Sequence, residues 1–231
     1  PMRYILAWLI FFSLFSGTIE KHSGKVLTDV RIHSVDAYLI KFSYPGEQAV
    51  QTLSVLAVKQ VVFDSGRVQD FPLQRSVIVV NDANQTLGLI PISVEKGYSG
   101  WSSWNAEQGK DSAVRDLIRD APLMGGNVIL IESTVSYFSG SRAFGTIFAV
   151  KLNHFAAKAI LEDRLSGKYQ LKDDFEYRGS DPIIVTVGAR KNQSDVRYIR
   201  ATFSQAEEGN TFLLEESGKD KIFRPVQPES E

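Results

Sequence analysis

The first pattern along the chain has no alternation at all. Tyr4 to Phe15 is apolar except for Ser13, follows the lone cation Arg3, and gives way to Ser16, Gly17 and Thr18. A short positive region, an apolar core and a small-residue exit describe a secretory signal peptide, assigned to residues 1–17. The core falls short of the ~20 residues that span a bilayer. Phe15 occupies the −3 position of a cut after Gly17, so an uncleaved anchor and a segment buried in the fold remain as alternatives.

Beyond residue 24 the period becomes two. Val26, Thr28, Val30 and Ile32 alternate with polar neighbours, and Tyr38, Ile40, Phe42 and Tyr44 do so again. Pro45-Gly46 makes a turn, Gln48–Leu56 and Val58–Phe63 give two more strands, and Asp64 to Arg67 turns the chain into a short strand over Val68–Phe71. Short strands with tight turns predict a small β-barrel-like module over 24–73.

The second section, 74–152, changes period twice. Ser76–Val80 is β-branched and is expected to be a central strand. Leu87–Val94 is another strand, which Pro91 directs to an edge or a bulge. Asn105 is placed to cap a helix whose Ala113, Val114, Leu117, Ile118 and Ala121 recur at helical spacing, and Gly125-Gly126 stops it. Val128–Ile131 then reads as a buried strand. A turn over Ser139 to Arg142 leads to a partner with Phe144, Thr146, Phe148 and Val150 on one face. This is a central α/β (βαβ-hairpin) module.

From 153 to 224 the pattern predicts one helix capped by Asn153, then a C-terminal β-rich section with strands near 169–171, 175–177, 183–187, 196–202, 211–214 and 221–223. Residues 225–231 are polar and predicted to be a flexible tail. The fold class is therefore α+β in three sections.

Composition narrows the chemistry. The net charge is −1 and the basic and acidic residues are interspersed, which argues against nucleic acid as a partner. The chain has no cysteine, which removes disulfides, thiolate nucleophiles and cysteine zinc sites. His22, His33 and His154 lie in different sections, with no second histidine or carboxylate at metal-ligand spacing. No phosphate-binding glycine loop follows a strand, and Asp173, Asp174 and Glu176 do not follow a calcium-loop pattern. No catalytic residue, metal or cofactor is assigned, and an enzyme is not expected. Candidate binding chemistry sits in Tyr98-Ser99-Gly100-Trp101-Ser102-Ser103-Trp104, where three aromatic rings are spaced by serine and glycine just ahead of a helix. Tyr98, Trp101 and Trp104 could stack on sugar faces, grip a peptide or rest at a lipid surface; the competing reading is ordinary packing onto that helix.

Two stretches carry a family resemblance. KVLTDVRIHSVDAYLIKFSY and KQVVFDSGRVQDF, within 24–71, resemble the small β modules that follow signal peptides in secreted proteins of the Bacteroidetes, and through them the Sm-type small barrel. The uridine-binding positions of that barrel are not matched, so RNA binding is not implied. Residues 106–150, with DLIRDAPLMGGNVILIEST and FGTIFAVKL, resemble the small α/β domain of the YbjQ and RcsF type. That likeness implies an oligomeric or partner-binding envelope module. The paired cysteines of RcsF-like proteins have no counterpart here, so disulfide sensing is not implied.

Together these readings predict an exported protein, periplasmic or attached to the cell envelope, that works as a non-catalytic interaction or structural module. Its partner would be another protein or a second copy of itself, with membrane association possible through an uncleaved N-terminal segment. The alternative is a glycan- or lipid-binding module using loop 98–104. A hydrolase with scattered residues would require a pocket joining His33 or His154 with a carboxylate and a serine.

Overall fold

The computed structural model describes residues 17–100, 105–179, 182–192, 195–206 and 209–218. The expected signal segment up to Ser16, Trp101, Trp104, the strand near 221–223 and the tail 225–231 lie outside the described residues. The described chain is a β-rich α+β fold of three open sheets and two α-helices.

The first sheet contains β1 (Gly17–Lys21), β2 (Val26–Val35), β3 (Leu39–Ser43), β4 (Gln51–Ser54), β5 (Val58–Val62) and β6 (Val68–Asp70), in the order β4-β3-β2-β1-β5-β6. It corrects the barrel-like expectation: the sheet is open, with β4 and β6 at opposite edges. Closure needs edge strands long enough to meet at a consistent stagger. Here the edges are four and three residues long, and a 3-10 turn over Val55–Ala57 takes up the last two residues of the strand expected over Gln48–Leu56. Alternation located the interior in part: Val30, Ile40 and Phe42 are buried, with Val58, Val61 and Ile19 of β1, a strand absent from the sequence reading, whereas Val26 and Tyr38 of the same alternating sets are 49% and 59% exposed. Where β1 and β2 lose register between Gly17 and Ile19, Asp29 takes a φ of 56°, the left-handed conformation that a β-bulge accommodates.

The second sheet has the order β7-β9-β10-β8, with β7 (Ile78–Val80), β8 (Ile90–Ser99), β9 (Val128–Tyr137) and β10 (Gly140–Ala149). The strand expected to be central, β7, is an edge strand paired parallel to β9. Its apolar character comes from burial under the first sheet, where Ala57, Leu89, Val80, Val128 and Val150 form a shared cluster. Pro91 sits on edge strand β8 beside a register shift, as its missing N–H requires.

Helix α1 (Ala106–Asp120) covers one face of this sheet. Asn105 caps it by accepting the Glu107 N–H at 3.0 Å, and Ala113, Leu117 and then Ala121 are buried. Gly125, at φ 77°, closes the 3-10 turn that follows. Helix α2 (His154–Leu165) starts on Asn153, whose side chain accepts the Ala156 N–H at 2.8 Å.

The third sheet is a meander of β11 (Gln170–Arg178), β12 (Ile183–Asn192), β13 (Asp195–Ala206) and β14 (Gly209–Ser217), in chain order. Two short strands expected near 169–171 and 175–177 are one strand, β11, interrupted by a register shift between Leu171 and Phe175. Helix α2 lies between the second and third sheets. Leu117, Ile147, Leu161, Val185, Val187 and Ile199 belong to one apolar cluster that runs from α1 through α2 to β13.

Candidate functional site

The covered and the open face of the second sheet differ in kind. Opposed residues of an antiparallel pair point to the same side, and successive residues alternate. Ala143, Ile147 and Gly97 therefore face α1, and all three are buried. Their neighbours in sequence, Arg142, Phe144 and Thr146 on β10, stand on the opposite face beside Tyr98, Lys96 and Val94 of β8. Val135 of β9, which pairs with Arg142, and Ser133, which pairs with Phe144, complete that face.

One end of this face is covered by the first sheet, through Phe148, Leu130 and the cluster around Ala57. The other end is exposed. Val94 is 63% exposed, Tyr98 53%, Tyr137 51%, and Phe138, at the β9–β10 turn, 91%. Large side chains exposed together, rather than scattered singly, mark an interaction surface.

Arg142 organises the patch. Its guanidinium carbon lies 5.5 Å from the ring centre of Tyr98 and 5.2 Å from that of Tyr137. One row further along, the Lys96 ammonium is 5.8 Å from the ring centre of Phe144. Such cation–π contacts restrict the long side chains while leaving N–H donors for a ligand. Thr146 donates to Glu132 at 2.6 Å, which places one carboxylate at the border of the patch.

The frame behind the patch is rigid. The Tyr98 N–H, directed away from β10, donates to Asp116 of α1 at 3.0 Å, and Asp116 also pairs with Arg119 at 2.5 Å. That carboxylate ties the edge strand to the helix and occupies a backbone donor that another strand would need. At the same end the Ser141 N–H donates to Ser99 Oγ at 3.1 Å, and the Ser136 and Ser141 hydroxyls are 3.0 Å apart.

Of the residues singled out from the sequence, Tyr98 is therefore on this face, and Trp101 and Trp104 lie outside the described residues. Sequence reasoning missed Arg142, which it placed in a turn, and Tyr137, Phe138 and Lys96. A signal existed: the exposed Tyr98, Lys96 and Val94 alternate with the less exposed Gly97, Glu95 and Ser93, but their partners are some 40 residues away, and single-strand periodicity does not specify pairing.

The histidines are dispersed among the described residues. His33 lies at a register shift of β2, and its Nε2 is 2.9 Å from Ser43 Oγ, a hydroxyl on a residue only 6% exposed. His154 meets the edge of the Tyr177 ring. His22 lines a cleft of about 90 Å³ with Val55, Leu56, Phe71, Ile78 and Asn127, between the first and second sheets. Burial holds its imidazole below the ordinary histidine value, and a hydrogen bond to the Phe71 carbonyl opposes that shift. Among the described residues no group of three or more histidines and carboxylates could hold a metal ion, and no helix is long and apolar enough to cross a membrane.

Against protein-family models, curated proteins and solved structures, the chain matches none.

Proposed function

We propose that this protein is an exported, non-catalytic interaction module that binds a protein partner through the helix-free face of its second sheet. The observation that carries the reading is Arg142 set between Tyr98 and Tyr137, with Val94 63% exposed on the same face. Tyrosine and arginine are the residues that dominate binding energy at protein interfaces, and a guanidinium already restrained by two rings loses little entropy on docking. Export rests on the apolar run Tyr4 to Phe15, and the resemblance of 106–150 to envelope modules points the same way.

The test is quantitative capture from an envelope extract. Arg142→Ala and Tyr98→Ala should each weaken retention of a bound protein by at least about tenfold, since central interface truncations cost upward of 1–2 kcal/mol. Both side chains are on the open face, so folding should be unchanged. Full retention by two folded variants would remove the proposal.

The exposed tyrosine rings also support a second reading, glycan binding, because flat rings stack on sugar faces. Saccharide titrations that are abolished by Tyr98→Ala, with no protein partner retained, would select it.

A further inference from the structure

The described strand edges are not equally protected. On β8, Pro91 lacks a donor, Lys96 adds charge, and the Asp116 carboxylate occupies the Tyr98 N–H. β11 is broken by its register shift, with Lys172, Asp173 and Asp174 inside it. β4, β6 and β7 have three or four residues each. These are the devices by which proteins prevent edge-to-edge pairing.

β14 has fewer of them, its charges being confined to Glu215 and Glu216 near its C-terminal end. It is nine residues long, pairs with β13 without a register shift, contains no proline, lysine or arginine, and has no second neighbouring strand among the described residues. Leu213 is 46% exposed and Leu214 39%. Helix α2 lies under one face of this sheet, with Arg164 5.8 Å from the Phe212 ring centre and Tyr169 just beyond it donating to Glu216 at 3.0 Å, contacts made by side chains and not by the backbone groups of the β14 edge.

The sequence of β14 is self-complementary. In a twofold antiparallel pair the axis is perpendicular to the sheet, so each face continues into the same face of the other copy and the axis must pass through a residue position. Centring it on Leu213 sets Leu213 opposite Leu213, and Phe212 opposite Leu214 twice. Glu215 then falls opposite Thr211, and Glu216 opposite Asn210, so no like charges meet. Centring on Leu214 would set Leu213 against Glu215 and Phe212 against Glu216. Centring on Glu215 would set two carboxylates face to face, which is destabilising. Within each copy, Glu216 is paired with Arg197 at 2.7 Å and Glu215 lies 3.6 Å from Arg200, so both carboxylates have cations on the neighbouring strand.

We infer that two copies of this chain pair antiparallel through β14, centred on Leu213, to form one continuous eight-stranded sheet across a twofold axis. This surface is separate from the face around Arg142, so either assignment can fail without the other.

The absence of native cysteine makes the register directly measurable. Residues opposed on the axis are about 4.5–5.5 Å apart at Cα, within disulfide range. Full-length Leu213→Cys should therefore form a covalent dimer on mild oxidation. Thr211→Cys, about 13 Å from its own copy along the strand, should not, but should cross-link when mixed with Glu215→Cys. By light scattering, the wild-type chain should be dimeric at roughly 100 µM, and Leu213→Lys should raise the dissociation constant at least about tenfold. A monomeric wild type overturns the inference. So does a folded Leu213→Lys variant that remains dimeric, or cross-linking of Thr211→Cys to itself in place of Leu213→Cys. Should Leu213→Lys fail to fold, the cysteine pattern decides.

Discussion

At Gly97 the backbone of β8 comes so close to α1 that a Cβ would run into the carbonyl of Ala113 and press on Leu117. The position needs glycine for space, and neither side of the contact can yield: one is helix backbone, the other is in the shared core. Gly97→Ala should therefore cost about 3 kcal/mol, the upper part of the overpacking range. Urea unfolding should show a lower midpoint at unchanged slope, and a variant as stable as the wild type would mean that α1 lies further from β8. Because Gly97 alternates with Lys96 and Tyr98, the same contact explains why the next residues on either side point to the open face. Arg142 and its two tyrosines stand on three neighbouring strands of a sheet that α1 covers from behind.

At the scale of elements, the ends were more legible than the lengths. Asn105 and Asn153 were recognisable as caps because a side-chain amide can satisfy helix N–H groups that no preceding turn reaches, and both do so. Asn153→Ala should cost about 1 kcal/mol in thermal or urea unfolding; a neutral substitution would show that α2 is held by its buried face alone. β1 was illegible because Gly17 and Thr18 resemble the exit of an export signal as much as the start of a strand, and only pairing with β2 and β5 on both sides distinguishes the two. β7 was misplaced because a β-branched run is equally suited to the centre of a sheet or to an edge buried beneath another layer. The site was legible at Tyr98 and nowhere else. Arg142 reaches its rings only after β8, β9 and β10 are in register, and register between strands 40 residues apart is not written in either strand alone.

At the scale of the molecule, the three sheets of the described residues are joined by apolar contacts at two places. Helix α2 ties the second sheet to the third, and the cluster at Ala57, Val80 and Val128 ties the first to the second. His22 lies at the latter junction, where its ring reaches the Phe71 carbonyl beside the cleft. Since burial lowers its folded pKa below the unfolded value of 6.5, the folded protein binds fewer protons than the unfolded chain just below that pH. The contribution of neutral His22 is thus fully present above about pH 6.5, is lost as pH falls towards the folded pKa, and changes no further beneath it. His22→Gln should flatten the decline of unfolding midpoint between about pH 7 and 5. An identical slope in the variant would show that His22 titrates as it does in the unfolded chain.

Arg142 between two tyrosines, the guarded β8 edge and the rigid support from α1 all bear on one claim, that a partner seats on the helix-free face of the second sheet. The most direct measurement is photo-cross-linking in living cells, with a benzophenone side chain at Val94 in the middle of that face and, as control, at Leu123, which is 73% exposed on the turn after α1. The account expects a discrete heterologous adduct from position 94 that is lost when Arg142→Glu is added, and none from position 123. Equal adducts at both positions, or an adduct from 94 that persists with Arg142→Glu, would contradict it.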